Sequence, residues 1–350
     1  MTKPMLVILS PGFAADETDS TCLPLQQALV KTIKEEFPDV KIVVIAFQYP
    51  FVSSTYQWNN TTVISLNGRN KRKFYKLSVW SKAWMCLRRL NRQHRIVGIL
   101  SFWYNECALI GRYFAARYSL KHYCWIMGQD ARPGNKFVKY ARLKGYQIIA
   151  LSDFLQIEFQ KNYGIKPCMI IPPGVKEALL PYGSRPIDLL GVGSLIPLKQ
   201  FDLFINTASE IKKQLPELNA VLVGDGPEKK RLSNMAAQSG AKDNIAITGA
   251  LPNNEVLALM KKAKILLHTS SYEGFGVVCL EALSAGAHVI SFVRPMNEKI
   301  EQWHIVKNRE EMLKKAIEIL KDRSTTYHNI TFHSIQATAQ KVAALFLEGI

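Results

Sequence analysis

At 350 residues, 48% hydrophobic and 21% charged, with a mean hydropathy of −0.02, the chain suits two globular domains and excludes a fibre or a disordered polymer. No apolar run approaches the roughly 20 residues that span a bilayer. The net charge of +17 is uneven: residues 1–175 carry 24 Lys and Arg against 10 Asp and Glu, and 176–350 carry 21 against 18. An anionic partner is therefore expected at the first half.

In chain order the first strand is MLVIL (5–9), closed by Pro-Gly, a run too short for a secretory leader. KIVVIAF (41–47), IVGILSF (96–102), HYCWIM (122–127), QIIALS (147–152) and CMIIP (168–172) follow. The second half repeats the pattern with IDLLGVG (187–193), NAVLVG (219–224), NIAITG (244–249), KILLH (264–268) and HVISF (288–292). Segments between them, such as TASEIKKQLPEL and NEVLALMKKAK, place apolar residues at three- and four-residue spacing and read as helices. Apolar runs without alternation indicate parallel strands covered on both faces. Strand and helix alternating twice over predict two doubly wound, Rossmann-like α/β domains facing a cleft. The boundary is expected in IPPGVKEALLPYGSRPIDLL, giving domains 1–175 and 176–330. Residues 331–350 are expected to form one amphipathic helix, with a crossing back to the first domain left open. The six cysteines lack metal spacing and read as reduced residues of a cytoplasmic protein.

Three strand ends of the second half carry chemistry. In GVGSLIPLKQFD, Gly191, Gly193 and Ser194 turn the chain and Lys199 precedes a helix; a dinucleotide fingerprint would need glycine where Ile196 stands. In VGDGPEKKRL, Asp225 between Gly224 and Gly226 is placed to cap a helix that has Pro227 in its first turn. In SYEGFGVVCLEAL, Gly274 and Gly276 let backbone approach a ligand, and a helix from about Val277 offers free N–H groups to an anion. Glu273 before this turn and Glu281 in the second helical turn cannot favour the anion, but each can accept hydrogen bonds from hydroxyls. Phosphate flanked by two hydroxyl-rich sugars describes a nucleotide-sugar. Taken singly, Lys199 also fits a solvated cation, and His268 the end of a strand.

EGFGVVCLE, with VGSLIPLKQFDLFI, VGDGPEKKRL, ITGALPNNEV and IPPGV in this order, resembles the retaining glycosyltransferases of family 4, with their GT-B fold and E-x(7)-E signature. The likeness covers most of residues 165–290. It implies that Glu281 binds the ribose and Glu273 the donor sugar, while Lys199 and the backbone from Gly274 through Phe275 and Gly276 to Val277 hold the diphosphate. It adds Gly193, Ser194, Gly224, Asp225 and Gly226 to the donor-binding set and implies transfer with retention. No Asp-x-Asp pair is present, in keeping with a metal-independent type; no cofactor is expected beyond the nucleoside-diphosphate-sugar co-substrate. Three positions depart from the pattern: Ser194 stands for the usual arginine, Met127 for a histidine and His288 for a proline. On the acceptor side the candidates are Asp130, also read as catalytic, and Gly12, Asp16 and Glu17, with Asp19 beside them.

RNKRKFYKLSVWSKAWMCLRRLNRQHR (69–95) holds ten Lys and Arg and no acid. Trp80, Ala83, Trp84, Leu87 and Leu90 share one helical face, with Lys82, Arg88, Arg89 and Arg92 away from it. A core-facing stripe with a solvated basic side and a docking face for anionic lipid both fit; no motif supports nucleic acid. The reading reached is a glycosyltransferase acting on a glycan or lipid-linked glycan, at the inner face of the membrane if the docking face is used. A sugar-nucleotide epimerase and a non-catalytic nucleotide-sugar or glycan-binding protein stand as alternatives.

Overall fold

The structure, a computed structural model, describes residues 3–71, 74–177 and 183–347. Part of the expected boundary (178–182) and two residues of the basic run (72 and 73) lie outside the described residues. The chain divides into two compact units, Met1–Gly174 with Ile335–Ile350, and Val175–Ser334.

The first unit runs β1 (Met5–Gly12), α1 (Pro24–Glu36), β2 (Lys41–Tyr49), β3 (Ser53–Trp58), β4 (Thr61–Leu66), α2 (Phe74–Gln93), β5 (Ile96–Phe102) and α3 (Glu106–Tyr118). It continues through β6 (Lys121–Ile126), α4 (Lys136–Ala141), β7 (Ile148–Ala150), α5 (Asp153–Tyr163) and β8 (Met169–Ile170). The sheet order is β3-β4-β2-β1-β5-β6-β7-β8, parallel except where β3 pairs antiparallel with β4. Successive side chains of β1 point to opposite faces, yet Met5, Leu6, Val7, Ile8 and Leu9 are all buried, because helices cover both faces. The strand order reverses between β1 and β5. On α2, Val79, Ala83, Leu87 and Leu90 are buried, Trp80 and Trp84 pack beside them, and Arg88, Arg89 and Arg92 are exposed.

The second unit runs β9 (Ile187–Val192), α6 (Phe201–Lys212), β10 (Ala220–Val223), α7 (Lys229–Gln238), β11 (Ile245–Gly249), α8 (Asn253–Lys262) and β12 (Ala263–His268). It ends with α9 (Val277–Ser284), β13 (His288–Ser291), β14 (Trp303–Ile305) and α10 (Arg309–Lys321). Its six strands, ordered β11-β10-β9-β12-β13-β14, pair in parallel throughout, and the order reverses between β9 and β12. Leu189, Phe204, Leu222, Ile265, Leu267 and Met312 lie in its core. The chain then returns to the first unit as α11 (Ile335–Leu347). Phe346 of α11 lies against Gly98 of β5 and contacts the Tyr123 ring at 5.3 Å. Among the described residues no helix is long and apolar enough to cross a membrane.

Candidate active site

Open α/β sheets hold ligands beyond their carboxyl edge, where strand order reverses. In the second unit that place lies between β9 and β12. The loop leaving β9 closes in a 3-10 turn, Pro197–Lys199. The loop leaving β12 is laced to it: Ser271 N–H donates to the Leu198 carbonyl (3.1 Å) and Thr269 Oγ1 to the Lys199 carbonyl (2.7 Å). These bonds bring Lys199 Nζ onto Glu273 Oε1 in a short charge-assisted hydrogen bond. His268 closes β12, 5% exposed, with Nε2 3.5 Å from the same oxygen, an electrostatic contact too long for a good hydrogen bond. Burial alone would push the Glu273 carboxyl up; His268 and Lys199 outweigh it and hold its pKa at about 2, so it stays ionised.

Neither ring nitrogen of His268 nor the buried Ser270 Oγ has a hydrogen-bond partner among the described residues. Sequence reasoning read His268 as the end of a strand and did not single out Ser270. The signal was the polar run His-Thr-Ser-Ser closing an apolar strand.

Gly276, with φ +85°, turns the chain into α9, whose N-terminus no side chain caps. Its first N–H groups are left for a ligand or water. Glu281 stands in the second turn of α9, and burial pushes its pKa up to about 7. Among the described residues this carboxylate has no hydrogen-bond partner. Phe275, expected to lend its backbone to the turn, is 2% exposed and packs its ring against Trp303 and Phe332, so the side chain anchors the turn from the core side.

The glycines after β9 and β10 serve close approach. A Cβ on Gly224 would lie 1.8 Å from the Gly193 carbonyl oxygen, and one on Gly226 2.5 Å from that of Leu195. Asp225 is not the cap of α7, which starts at Lys229 with Glu228 before it. It is exposed, accepting from Gly226 N–H and Lys229 Nζ, both at 2.7 Å. Ser194 is exposed.

At the carboxyl edge of the first unit Asp130 is 7% exposed and spends both oxygens on backbone. It accepts from Tyr104 N–H (2.8 Å), Met127 N–H (3.0 Å) and Gly128 N–H (2.8 Å). This carboxylate, expected as a catalytic group, ties the ends of β5 and β6 together. Burial pushes its pKa up against the pull of those donors. In the loop after β1, Asp16 is exposed and turns back on Thr18, and Glu17 accepts from Asn59 N–H (3.0 Å). Asp19 organises the loop, accepting from Ala15, Thr21 and Cys22 and from the Tyr49 hydroxyl at 2.9 Å. Gly12 ends β1 beside Cys22 and Tyr49. Among the described residues no group of three or more His, Cys, Asp or Glu could hold a metal ion.

Residues 181–334, essentially the second unit, match the family model described as Glycosyl transferases group 1. An uncharacterized glycosyltransferase of Methanocaldococcus jannaschii is 24% identical over 75% of this chain and 73% of its own length. A phosphatidylinositol N-acetylglucosaminyltransferase component of Arabidopsis thaliana is 27% identical over 45% of this chain, which spans 37% of that relative's length. A solved glycosyltransferase of Rickettsia africae superposes with TM-score 0.72 at 15% identity, covering 98% of each chain. HepE of Anabaena, solved with UDP and glucose, superposes with TM-score 0.64 at 15% identity over 98% of this chain and 95% of its own. The fold is accordingly GT-B: two α/β units, each built on a mainly parallel sheet.

Proposed function

We propose that the protein is a retaining glycosyltransferase of the family 4 type, moving a sugar from a nucleoside-diphosphate donor to a hydroxyl of a glycan or lipid-linked glycan. One observation carries the reading. The Lys199–Glu273 pair stands beside the uncapped N-terminus of α9, and the desolvated, unpartnered Glu281 lies one turn further on. An anion at that terminus gains from the free N–H groups and the helix dipole. Glu281 then accepts the ribose hydroxyls that its burial leaves it without. Glu273 takes hydroxyls of the donor sugar, and Lys199 neutralises the charge that grows on the diphosphate as the sugar–oxygen bond breaks. Such a charge-assisted bond is worth about 1.5–3 kcal/mol, roughly ten- to a hundredfold in rate when it forms mainly in the transition state.

The test is thermal stabilisation by a panel of nucleoside diphosphates, UDP first because HepE was solved with it. Ligand at 100 times its dissociation constant adds about 2.7 kcal/mol to the folded state. Stabilisation of the wild type and its loss in Glu281→Ala is the expected result; no shift with any nucleotide overturns the reading. Donor turnover without acceptor in the form of a new sugar epimer would make the protein an epimerase. Binding without transfer or slow hydrolysis would make it a binding protein.

A second observation bears on where the enzyme works. Leu77 and Met85 are 56% and 57% exposed on α2, at helical spacing with exposed Arg88 and Arg92. No acid occurs between Asp39 and Glu106, and Glu106 is itself buried against Gln48 and Trp80. This face is proposed to dock on anionic lipid, the arginines at headgroup level and the two apolar side chains below them. The wild type should sediment with phosphatidylglycerol vesicles and not with phosphatidylcholine ones, and Arg88→Glu with Arg92→Glu should stay in solution. Equal sedimentation of wild type and variant rules the docking face out.

A further inference from the structure

Lys199 stands where two demands meet, the carboxylate of Glu273 and any anion at the N-terminus of α9, and the residue beside that pair has no structural explanation. His268 closes β12 and is 5% exposed, yet neither ring nitrogen has a hydrogen-bond partner among the described residues. An imidazole always carries at least one N–H, and leaving it unmet in a buried place costs stability. Two further buried histidines each make at least one such bond. His122 reaches Ser101 Oγ at 2.9 Å, and His288 reaches the His304 ring at 3.1 Å and the Thr326 carbonyl at 3.0 Å. His268 departs from that habit, and it does so against the ion pair.

The ring is held in place. A Cβ on Gly276 would lie 3.8 Å from His268 Cε1, so the edge that bears both nitrogens lies against the turn into α9. Its Nε2 stands 3.5 Å from Glu273 Oε1, the oxygen that Lys199 Nζ already holds. The lysine is tethered differently: Thr269 Oγ1 pins its carbonyl at 2.7 Å, while its ammonium rides on a flexible four-carbon stem. When that ammonium turns to an anion at the uncapped end of α9, Glu273 keeps its charge at 18% side-chain exposure, with His268 as the neighbouring donor. A buried charge that has lost its partner is strongly unfavourable. An ordinary N–H···O bond is about 2.9 Å long, so a movement of about half an ångström makes the ring the new partner. We propose that His268 is a positioning residue, which takes over Glu273 when Lys199 leaves it for an anion. That the anion is the donor diphosphate rests on the glycosyltransferase reading above; the exchange of partners does not.

Calorimetric titration of the full chain with UDP tests this. His268→Leu, close in volume and without a donor, should weaken UDP about tenfold or more, the worth of one hydrogen bond to a charged group. In the Glu273→Gln background the same change should weaken it about twofold at most. His268→Gln, whose amide donates from about the place of Nε2, should return the affinity to near the wild-type value. Equal weakening in both backgrounds makes the ring a support of the fold alone and overturns the proposal. Lys199→Met takes the competing ammonium away without any ligand. There, urea denaturation should show His268→Leu lowering the folding constant about tenfold more than it does in the wild type, and equal losses overturn the proposal as well. If His268→Leu does not fold, His268→Asn, whose amide stops short of Glu273, replaces it in both measurements. Should UDP fail to bind while the excess loss in Lys199→Met is found, the donor reading falls and the exchange of partners stands.

Discussion

Two carboxylates, Asp130 buried and Glu281 half-buried, show how differently the same group is used. Asp130 is surrounded by backbone donors, so Asp130→Ala leaves the N–H groups of Tyr104, Met127 and Gly128 without a partner. With about 1–3 kcal/mol for each orphaned buried donor, partly relieved by water, urea denaturation should show a loss of about 3–5 kcal/mol. Glu281 has burial without donors, which raises its pKa from 4.5 to about 7. The folded state therefore keeps a proton that the unfolded chain releases. This favours folding most below the unfolded pKa, and the advantage is lost as pH rises through about 7. Glu281→Gln should then be more stable than the wild type by on the order of 2–3 kcal/mol near pH 8, with the gain vanishing near pH 4. The same variant should lose stabilisation by UDP. A gain that is flat with pH would mean that the carboxylate is already solvated, which would remove its reason for waiting on a ribose.

At the scale of elements, α11 completes the core of a unit whose other strands lie more than 160 residues earlier in the chain. A Cβ on Gly98 would sit 2.3 Å from Phe346 Cδ1. Gly98→Ala should thus cost about 1–3 kcal/mol through overpacking, and Phe346→Leu in that background should restore most of it. Strictly additive effects in the double-mutant cycle would mean that α11 does not bear on β5. Helix and strand alternation was legible because parallel strands buried on both faces write themselves as unbroken apolar runs; IVGILSF is β5 to the residue. The strands that escaped notice break that rule. β3, SSTYQW, is an exposed antiparallel edge strand, β14, WHI, has three residues, and β4, TTVISL, though mostly buried, breaks its short apolar run with threonines and Ser65. At the site, the glycine turn and both glutamates could be read from spacing, because loop conformation and helix start are local properties. Whether Phe275 faced ligand or core depended on Trp303 and Phe332, which no local pattern reveals. The unpartnered state of His268 and the clamp on Asp130 likewise exist only once distant strands are side by side.

On the scale of the whole molecule, the two units are variations on one plan, each with its strand order reversing once and its polar or strained residues gathered at that reversal. Lys199, His268 and Glu273 mark it in the second unit, and Trp103, at φ +63°, with the Asp130 clamp in the first. Charge divides the plan: residues 1–175 hold most of the excess positive charge, while the second unit brings Lys199 and the uncapped N-terminus of α9 to its strand reversal. Local opening of such loops is what amide hydrogen exchange reports. UDP should slow exchange at residues 193–199 and 269–278, where backbone N–H groups meet the anion, and leave residues 103–105 at their own rate. Protection by UDP confined to the first unit would contradict the assignment of the donor site to the loops after β9 and β12.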